Sequence, residues 1–316
     1  MSAKPASWVH LSLLVLVNLF WAAQYPAYKV ASEHLGIATL NLWTFLFATL
    51  CLLPFLARER KRRPAAHAKR LKHDLWRFLL LSVAGILPPS LLLAWGIERS
   101  TAANASILSM TIPVLMTLMG VFMLREKLTY PRVIGLFLGL AGTLLISTDD
   151  LRHASFKPEL LVGNSVIFLA GLGSAFYNAY SKALLARYSE LEVLVYSDAL
   201  GAVCCGIVSL LFERPSLFGV ASYPASAWVS VLVLGTLSWG LAMVLWMKVL
   251  SQLDLSQISV SVYLLPVFGV ALAILTLHER IQPQQIAGGI LVIVGTAALT
   301  VFDRTRVLEP PEARLS

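Results

Sequence analysis

The sequence predicts an all-α polytopic membrane protein with ten transmembrane helices, arranged as two inverted five-helix repeats. Three observations lead to this fold class: the composition, the length of the apolar runs and an internal repeat. Of the 316 residues, 58% are hydrophobic and only 13% are charged, whereas soluble domains carry about 25% charged residues. A chain with so few charges is suited to a surface that faces lipid rather than water.

Apolar runs of spanning length recur along the whole chain. About 20 apolar residues cross a bilayer, and backbone groups in lipid must hydrogen-bond one another, so each run predicts one helix. The first run is longer than the core of a signal peptide and has a counterpart in the second half, so we interpret it as a spanning helix. The ten runs are 8–30, 37–56, 76–97, 102–124, 130–148, 160–184, 191–212, 227–250, 256–277 and 283–302.

Basic residues are divided unevenly between the two predicted sides of the membrane. With a cytoplasmic N-terminus and ten crossings, 19 of the 25 Lys and Arg residues lie on the inner side and 6 on the outer side. Cytoplasmic loops carry such an excess, which predicts a multi-pass protein of the cell (inner or plasma) membrane with both termini cytoplasmic. The basic segment 58–72 adjoins apolar helices, which favours topology and anionic-lipid contact, so we expect no nucleic-acid partner.

The second half of the chain repeats the first half at an offset of 153 residues. At this offset Pro113 aligns with Pro266 and Glu126 with Glu279, identities that an apolar composition does not generate. Each repeat holds five helices, an odd number, so the two copies enter the membrane in opposite orientations. Inverted repeats are the architecture of alternating-access transporters. The predicted units are a first repeat at 1–152, a second at 153–305 and a cytoplasmic tail at 306–316.

An ordered set of residues recurs in both copies. The set in the first copy is Ala94-Trp95-Gly96-Ile97-Glu98, Pro113, Leu124-Arg125-Glu126-Lys127-Leu128, Gly135 and Gly142. The matching set in the second copy is Pro266, His278-Glu279-Arg280-Ile281, Gly288 and Gly295. This order resembles the EamA repeat of the drug/metabolite transporter (DMT) superfamily. The resemblance implies a ten-helix carrier of small organic metabolites, often an exporter of amino acids or their relatives.

The chain departs from that family early in the second helix of each repeat. Many repeats of the family carry an Arg there, where this chain has Leu42-Trp43-Thr44-Phe45 and, in the second copy, Val195-Tyr196-Ser197-Asp198. A substrate or coupling role attached to that Arg is therefore not carried over.

Aromatic and amide side chains on the predicted cavity-forming helices are the candidate substrate contacts. Aromatic rings at the ends of spans are often interface anchors, and that alternative stays open for each ring. Amides in lipid need partners, and an apolar-aromatic pocket with a few polar groups suits a small organic ligand. The candidates are Trp21, Gln24, Tyr25, Asn104, Tyr177, Asn178, Tyr180, Trp239, Trp246 and Tyr263.

Asp198, Lys182 and Lys29 are the candidates for coupling transport to a proton gradient. Asp198 is predicted about seven residues inside the seventh span, roughly 10 Å deep at 1.5 Å per residue. Charged residues at such depth usually face the protein interior and serve ion or substrate pathways. The alternatives are a carboxylate hydrogen-bonded to Ser197 or Tyr196, and a span that starts later and leaves Asp198 near water.

Prolines and glycines within the spans predict how the helices bend and pack. Pro113 and Pro266 are candidate hinges, because a mid-helix proline removes a hydrogen bond and bends the axis; a tolerated membrane proline is the alternative. Small residues at four-residue spacing let helices approach closely, which predicts packing within the fold and leaves a homodimer open. The glycine rows are 135/139/142 and 288/289/295.

We therefore predict a secondary transporter that exports small organic metabolites, amino acids or related compounds, by alternating access between inverted repeats. We do not expect an enzyme. The sequence contains no Walker loop, nucleophile pair or metal-ligand spacing, so we expect a gradient as the energy source and no cofactor or metal. The expected partners are a small-molecule substrate and the lipid bilayer. An uncoupled facilitator is the first alternative, and a non-transporting membrane protein or enzyme is the second.

Overall fold

The computed structural model of the chain is helical, with a single short pair of strands among the described residues. The described residues are 8–62, 67–112, 114–115, 119, 130–146, 148–150, 155–185, 187–250 and 264–302. The predicted all-α class is confirmed at this level.

The first half contains seven α-helices and a π-helical segment among its described residues. The α-helices are α1 (Trp8–Ala22), α2 (Gln24–Ser32), α3 (Ile37–Arg62), α4 (His67–Leu80), α5 (Leu87–Glu98), α6 (Ala102–Leu108) and α7 (Tyr130–Ile146). A π-helical segment at Leu81–Ile86 joins α4 to α5, and a 3-10 turn at Ser109–Thr111 follows α6.

The second half begins after two short antiparallel strands, β1 (Thr148–Asp150) and β2 (Ser155–Phe156). Its described α-helices are α8 (Pro158–Leu185), α9 (Glu190–Phe212), α10 (Arg214–Phe218), α11 (Ala225–Leu232), α12 (Ala242–Leu250), α13 (Leu264–Leu277) and α14 (Pro283–Phe302). A 3-10 turn lies at Val220–Ser222, and a π-helical segment at Val233–Leu241 joins α11 to α12.

Five helical stretches among the described residues are long and apolar enough to cross a membrane. They are Ile37–Lys61, Asp74–Glu98, Pro158–Ser181, Glu190–Phe212 and Ala225–Val249. They overlap the predicted second, third, sixth, seventh and eighth spans, and Ile37–Lys61 extends five residues beyond the predicted end of the second span. The complete ten-helix layout stays a prediction.

The first predicted span is divided into α1 and α2 at Ala23. Pro26 explains the break, because it has no backbone N–H to donate to the Ala22 carbonyl one turn earlier. The backbone bonds on either side continue, from the Ala23 amide to Leu19 and from the Ala27 amide to Ala23. The two segments therefore follow one another through a local distortion.

Helices from the two halves pack against each other in pairs. The largest interfaces pair α7 with α14, α3 with α9 and α5 with α8. Glycines allow the α7–α14 pair to touch through backbone: a Cβ added to Gly142 would lie 2.7 Å from the Gly288 carbonyl oxygen. A Cβ added to Gly135 would lie 3.0 Å from the carbonyl oxygen of Gly295. The glycine rows thus pack within the fold, as predicted.

The two π-helical segments occupy corresponding places in the two halves. Moving Leu81–Ile86 by the repeat offset gives 234–239, which lies inside Val233–Leu241. Each segment interrupts a long apolar helix. π-helical turns are rare and often mark functional sites, so their recurrence directs attention to the side chains around them.

Acidic side chains cap helix N-termini across the fold. The Glu213 carboxylate, just after α9, accepts hydrogen bonds from the Ala38 and Thr39 amides at 3.0 and 2.9 Å. The Glu279 carboxylate accepts from the Ala102 and Ala103 amides at 2.9 and 3.1 Å. A carboxylate is stabilising at a helix N-terminus, where amides are unpaired and the dipole is positive. Both contacts tie the second half to the first.

Candidate functional site

Five of the ten predicted substrate contacts meet in one buried region of the fold. They come from both halves of the chain, on α1, α8, the second π-helical segment and α12. Tyr196 of α9 packs beside them. We call this set the aromatic cluster; its members are Trp21, Tyr177, Tyr180, Tyr196, Trp239 and Trp246.

Five of the six rings of the aromatic cluster are in direct contact with one another or with neighbouring phenylalanines. The Trp21 and Trp246 ring centroids lie 4.9 Å apart in a tilted arrangement, which joins α1 to α12. Phe45 of α3 meets Trp239 edge-on at 4.9 Å. Offset and edge-to-face contacts of this kind are the favourable ones for aromatic pairs. The cluster therefore brings aromatic rings from helices of both halves into one packed core.

Asp198 belongs to this region. Helix α9 begins at Glu190, so Asp198 lies eight residues, roughly 12 Å, inside it. Its side chain has no exposed surface, and it lies close enough to the Tyr177 hydroxyl for the two groups to interact electrostatically. Gly201, one turn further along the same face, approaches Phe45: a Cβ added there would lie 3.5 Å from its ring. This face of α9 thus lies near Tyr177 and near Phe45, which packs against Trp239 of the cluster.

Neither alternative reading of Asp198 agrees with the structure. The Ser197 hydroxyl donates instead to the Val193 carbonyl at 2.7 Å, and the Tyr196 hydroxyl has no hydrogen-bond partner among the described residues. Both carboxylate oxygens of Asp198 also lack one there. Because the side chain is fully buried, a position near water is wrong as well.

Among the described residues, six buried polar atoms without a hydrogen-bond partner belong to Asp198 and to members of the aromatic cluster. Within the described part of the chain, both Asp198 oxygens, the hydroxyls of Tyr177 and Tyr196, and the Nε1 atoms of Trp239 and Trp246 are buried without a partner. Buried polar groups are normally hydrogen-bonded, so each exception calls for an explanation. Two acceptor atoms of Asp198 and four potential donors of the aromatic cluster are the kinds of group that bind a small polar molecule.

The amides Gln24 and Asn178 are less exceptional than the sequence suggested. The Asn178 amide nitrogen donates to the Ser174 carbonyl one turn earlier at 2.8 Å, so this half-buried amide is satisfied by its own helix. Gln24 is half-buried at the first residue of α2. Neither residue belongs to the aromatic cluster.

Tyr25 and Asn104 lie in a second region. Tyr25 is buried in another core cluster, and a Cβ added to Gly269 of α13 would lie 3.4 Å from its ring. Asn104 accepts a 2.6 Å hydrogen bond from Gln285 and donates to Ser100 at 3.2 Å. These contacts connect helices and account for the polar groups of Asn104 within the fold.

Lys29 lies at the end of α5. Its ammonium group donates to the carbonyl oxygens of Ile97, Glu98 and Ser100 at 2.9, 3.0 and 2.7 Å. A cation there satisfies free carbonyls and interacts well with the negative end of the helix dipole. The charge of Glu279 also acts on it. These contacts tie Lys29 to a helix terminus, and none joins it to Asp198.

The remaining predicted residues are partly outside the described chain. Pro113 and Tyr263 lie outside the described residues, as does the side chain of Lys182, whose backbone belongs to α8. Pro266 is buried as the third residue of α13. The hinge hypothesis stays a prediction for both prolines.

Sequence reasoning missed two polar contributors to this region. The sequence suggests Tyr196 only as a partner for Asp198, whereas the structure packs it against the aromatic cluster. Asn18 is fully buried on α1 and its Oδ1 atom has no partner among the described residues. The signal for Asn18 was present, since an amide inside an apolar run was the reason for naming Gln24.

A known transporter family matches this chain twice. The model of the EamA-like transporter family matches residues 8–148 and again residues 161–301. The chain belongs to the EamA-like transporter family. The two matches start 153 residues apart, which is the offset of the internal repeat.

Relatives over nearly the full length are named as transporters. A protein of Streptantibioticus cattleyicolor named "Probable terminal-alkyne amino-acid exporter" is 29% identical, covering 99% of this chain and 100% of the relative. The transporter YoaV of Bacillus subtilis is 27% identical over 93% of this chain and 98% of its own. A Rickettsia conorii protein named "S-adenosylmethionine uptake transporter" is 26% identical over 88% of this chain and 89% of its own.

A crystal structure of a protein shares the fold. It superposes with a TM-score of 0.64 at 20% identity, and the match covers 93% of this chain and 97% of that chain. Likeness at this identity shows the fold alone. Together with the family match and the apolar helices, it identifies this EamA-family chain as a multi-pass membrane protein of a transporter family.

Proposed function

We propose that this EamA-family protein is a secondary transporter that exports small organic metabolites, amino acids or related compounds, by alternating access between two inverted five-helix repeats. The observation that carries the proposal is the reciprocity of the glycine contacts between α7 and α14. Gly135 contacts Gly295, and Gly288 contacts Gly142. The repeat offset converts one pair into the other.

Reciprocal contacts support a two-fold relationship between the halves. Two contact pairs that change into each other when the halves are exchanged are expected across a pseudo-two-fold axis. Five helices per half would place that axis in the membrane plane, because the second half then starts on the opposite side. Transporters with inverted repeats bind substrate where the halves meet and move one half against the other.

The π-helical segments support the same mechanism. Both lie next to the aromatic cluster: Ser82 of the first donates a 2.9 Å hydrogen bond to the Ser197 carbonyl beside Asp198. Ser238 of the second donates to the Phe20 carbonyl beside Trp21 at 2.7 Å. Helices that already depart from α-geometry at these points offer places where the backbone could bend as the halves move.

The proposed substrate class comes from the family and from the chemistry of the cluster. One relative is named as an amino-acid exporter and another as a transporter of S-adenosylmethionine, a molecule that contains an amino-acid group. A wall of aromatic rings with one carboxylate and several donors suits a small molecule with polar and apolar parts. We propose proton exchange through Asp198 as the energy source; uncoupled facilitation is the alternative.

Flux through the purified protein tests the proposal. Proteoliposomes would be given a radiolabelled mixture of the twenty standard amino acids, with and without a pH gradient, beside protein-free liposomes. Uptake above the control supports a carrier, and its stimulation by the pH gradient supports proton coupling. Equal flux with and without the pH gradient would contradict proton coupling and support uncoupled facilitation. The absence of protein-dependent flux for every amino acid would contradict amino-acid transport.

A further inference from the structure

We infer that the Asp198 carboxylate binds the ammonium group of the substrate, while the unpaired donors of the aromatic cluster receive its carboxylate. This inference rests on the proposed transport function and deepens it. It makes the zwitterionic head group, rather than the side chain, the part of the substrate that the site selects. Molecules without a free ammonium group would be rejected.

The burial of Asp198 is the first support. A carboxylate removed from water without a partner is strongly unfavourable, and native proteins compensate such charges by pairing them or by binding a ligand. Asp198 has no exposed surface and no hydrogen-bond partner among the described residues. A carboxylate retained in this state is available to a cationic group that enters from outside.

Two described cations of the neighbouring helices, Arg60 and Arg77, have contacts of their own. The Arg60 guanidinium lies over the Tyr196 ring, 5.2 Å from its centroid. The Arg77 guanidinium pairs with Asp74 at 3.3 Å, and that aspartate also accepts a 2.9 Å hydrogen bond from Tyr188. The side chain of Lys182 is outside the described residues. Asp74 therefore shows how a buried aspartate on a neighbouring helix is satisfied, and Asp198 is the contrasting case.

The unpaired donors provide the other half of the recognition. Indole Nε1–H and tyrosine hydroxyl groups donate hydrogen bonds, and those of Trp246 and Tyr177 are buried without partners in the described structure. A carboxylate accepts several such bonds, and bonds to a charged group are about twice as strong as neutral ones. Acceptor and donors together match the ammonium and carboxylate groups of an amino acid.

The aromatic rings also favour an ammonium group. A cation within about 6 Å of a tryptophan or tyrosine ring centroid is attracted by the electron-rich face. Trp21 and Trp246 are in contact within the cluster, and Tyr177 lies close enough to Asp198 for an electrostatic interaction. An ammonium group held at Asp198 would lie beside these rings, with the apolar part of the substrate against them.

Three related compounds separate the two groups of the substrate. L-Propargylglycine, a terminal-alkyne amino acid, carries both charges; its amide retains only the ammonium group, and its N-acetyl derivative retains only the carboxylate. Their competition against uptake of the labelled amino-acid mixture would be measured in proteoliposomes, with intrinsic tryptophan fluorescence as a direct binding signal. We expect the amino acid and its amide to compete. The N-acetyl derivative should need a concentration at least about tenfold higher for the same inhibition of uptake.

Two matched variants assign this preference to Asp198. Asp198→Asn keeps the shape and removes the charge, so the preference for the ammonium compounds should fall by about tenfold or more. Asp74→Asn removes the charge of a buried aspartate that is already paired, and should leave the preference unchanged. Tyr177→Phe should weaken binding of the amino acid more than binding of its amide, because the substitution removes a hydrogen-bond donor for the carboxylate.

The outcomes separate this inference from the proposed function. If wild-type protein does not transport the amino-acid mixture, the proposed function fails. If the mixture is transported but N-acetylpropargylglycine competes as well as the parent, or none of the three compounds competes, the ammonium site is wrong while transport stands. A full ammonium preference in folded Asp198→Asn protein would also overturn it. The competition of the three compounds on wild-type protein shows whether the site selects an ammonium group, even if the Asp198→Asn variant does not fold.

Discussion

Gly142 and Gly288 face each other across the crossing of α7 and α14, each in contact with the backbone of the other. A Cβ added to either would lie 2.7 or 2.8 Å from the carbonyl oxygen of its partner. Real side-chain carbons do not approach oxygen so closely, so only glycine permits this crossing. The contact joins the two halves. At the repeat offset Gly142 corresponds to Gly295, and Gly288 corresponds to Gly135.

Substitution of these glycines should separate backbone contact from helix propensity. Gly288→Ala should lower the melting temperature in detergent, because relieving a clash with rigid backbone costs about 1–3 kcal/mol. Gly289→Ala is the matched control: its Cβ would meet only the Ile107 side chain, at 3.4 Å. Alanine there should be neutral or stabilising, since it is the better helix former. Equal melting temperatures for the two variants would contradict the crossing.

Removing the charge of Glu279 should weaken the attachment of the second half to α6. Its carboxylate accepts two amide hydrogen bonds at the helix N-terminus, so Glu279→Gln should cost about 1–3 kcal/mol of stability. Glu159→Gln, at an exposed residue in the first turn of α8, is the control. Thermal unfolding followed by size-exclusion chromatography measures both. A Glu279→Gln melting temperature equal to that of the control would show that the cap contributes nothing.

Asp198→Asn should remove the response of transport to pH. Without a titratable group at this position, an imposed proton gradient no longer drives amino-acid flux. Exchange of labelled for unlabelled amino acid should persist at concentrations well above the increased KM, since exchange needs no net proton movement. The measurement is uptake into proteoliposomes with and without a pH gradient. Undiminished stimulation in a normally inserted variant would assign proton coupling to another residue.

Cysteines at positions 24 and 178 should report whether these half-buried residues line the substrate path. In a background with Cys51, Cys204 and Cys205 replaced, Gln24→Cys and Asn178→Cys should react with small charged thiol reagents. The amino-acid mixture should reduce the reaction. Leu169→Cys, on an exposed position of the same α8, is predicted to face lipid and should stay unreactive. Inertness at both test positions would mean that they face packed helices.

The helical fold could be predicted from the sequence because the features that determine it are local sequence patterns. Long apolar runs, glycines at regular spacing and the repeat offset each depend on residue type and order alone. The break at Pro26 also had a local signal. The π-helical segments have no such signal within Leu81–Ile86 or Val233–Leu241, although Pro88 and Pro89, which have no N–H to donate, follow the first.

The candidate site could be predicted only in part, because burial and partners are tertiary properties. Trp21, Tyr177 and Trp246 lie far apart in sequence and meet only when α1, α8 and α12 pack together. Asn178 was named as an amide in lipid, but a bond to its own helix satisfies it. Lys29 was named for its charge, and three carbonyls at the end of α5 account for it.

Counterflow in proteoliposomes tests most directly whether this protein carries amino acids by alternating access. Vesicles loaded with unlabelled amino acids would be diluted into a trace of the labelled mixture with no pH gradient. A carrier whose single site faces each side in turn should accumulate label transiently above the level in unloaded vesicles, and Asp198→Asn should reduce this overshoot at low amino-acid concentration. Uptake in loaded wild-type vesicles that never exceeds uptake in unloaded ones would contradict the account.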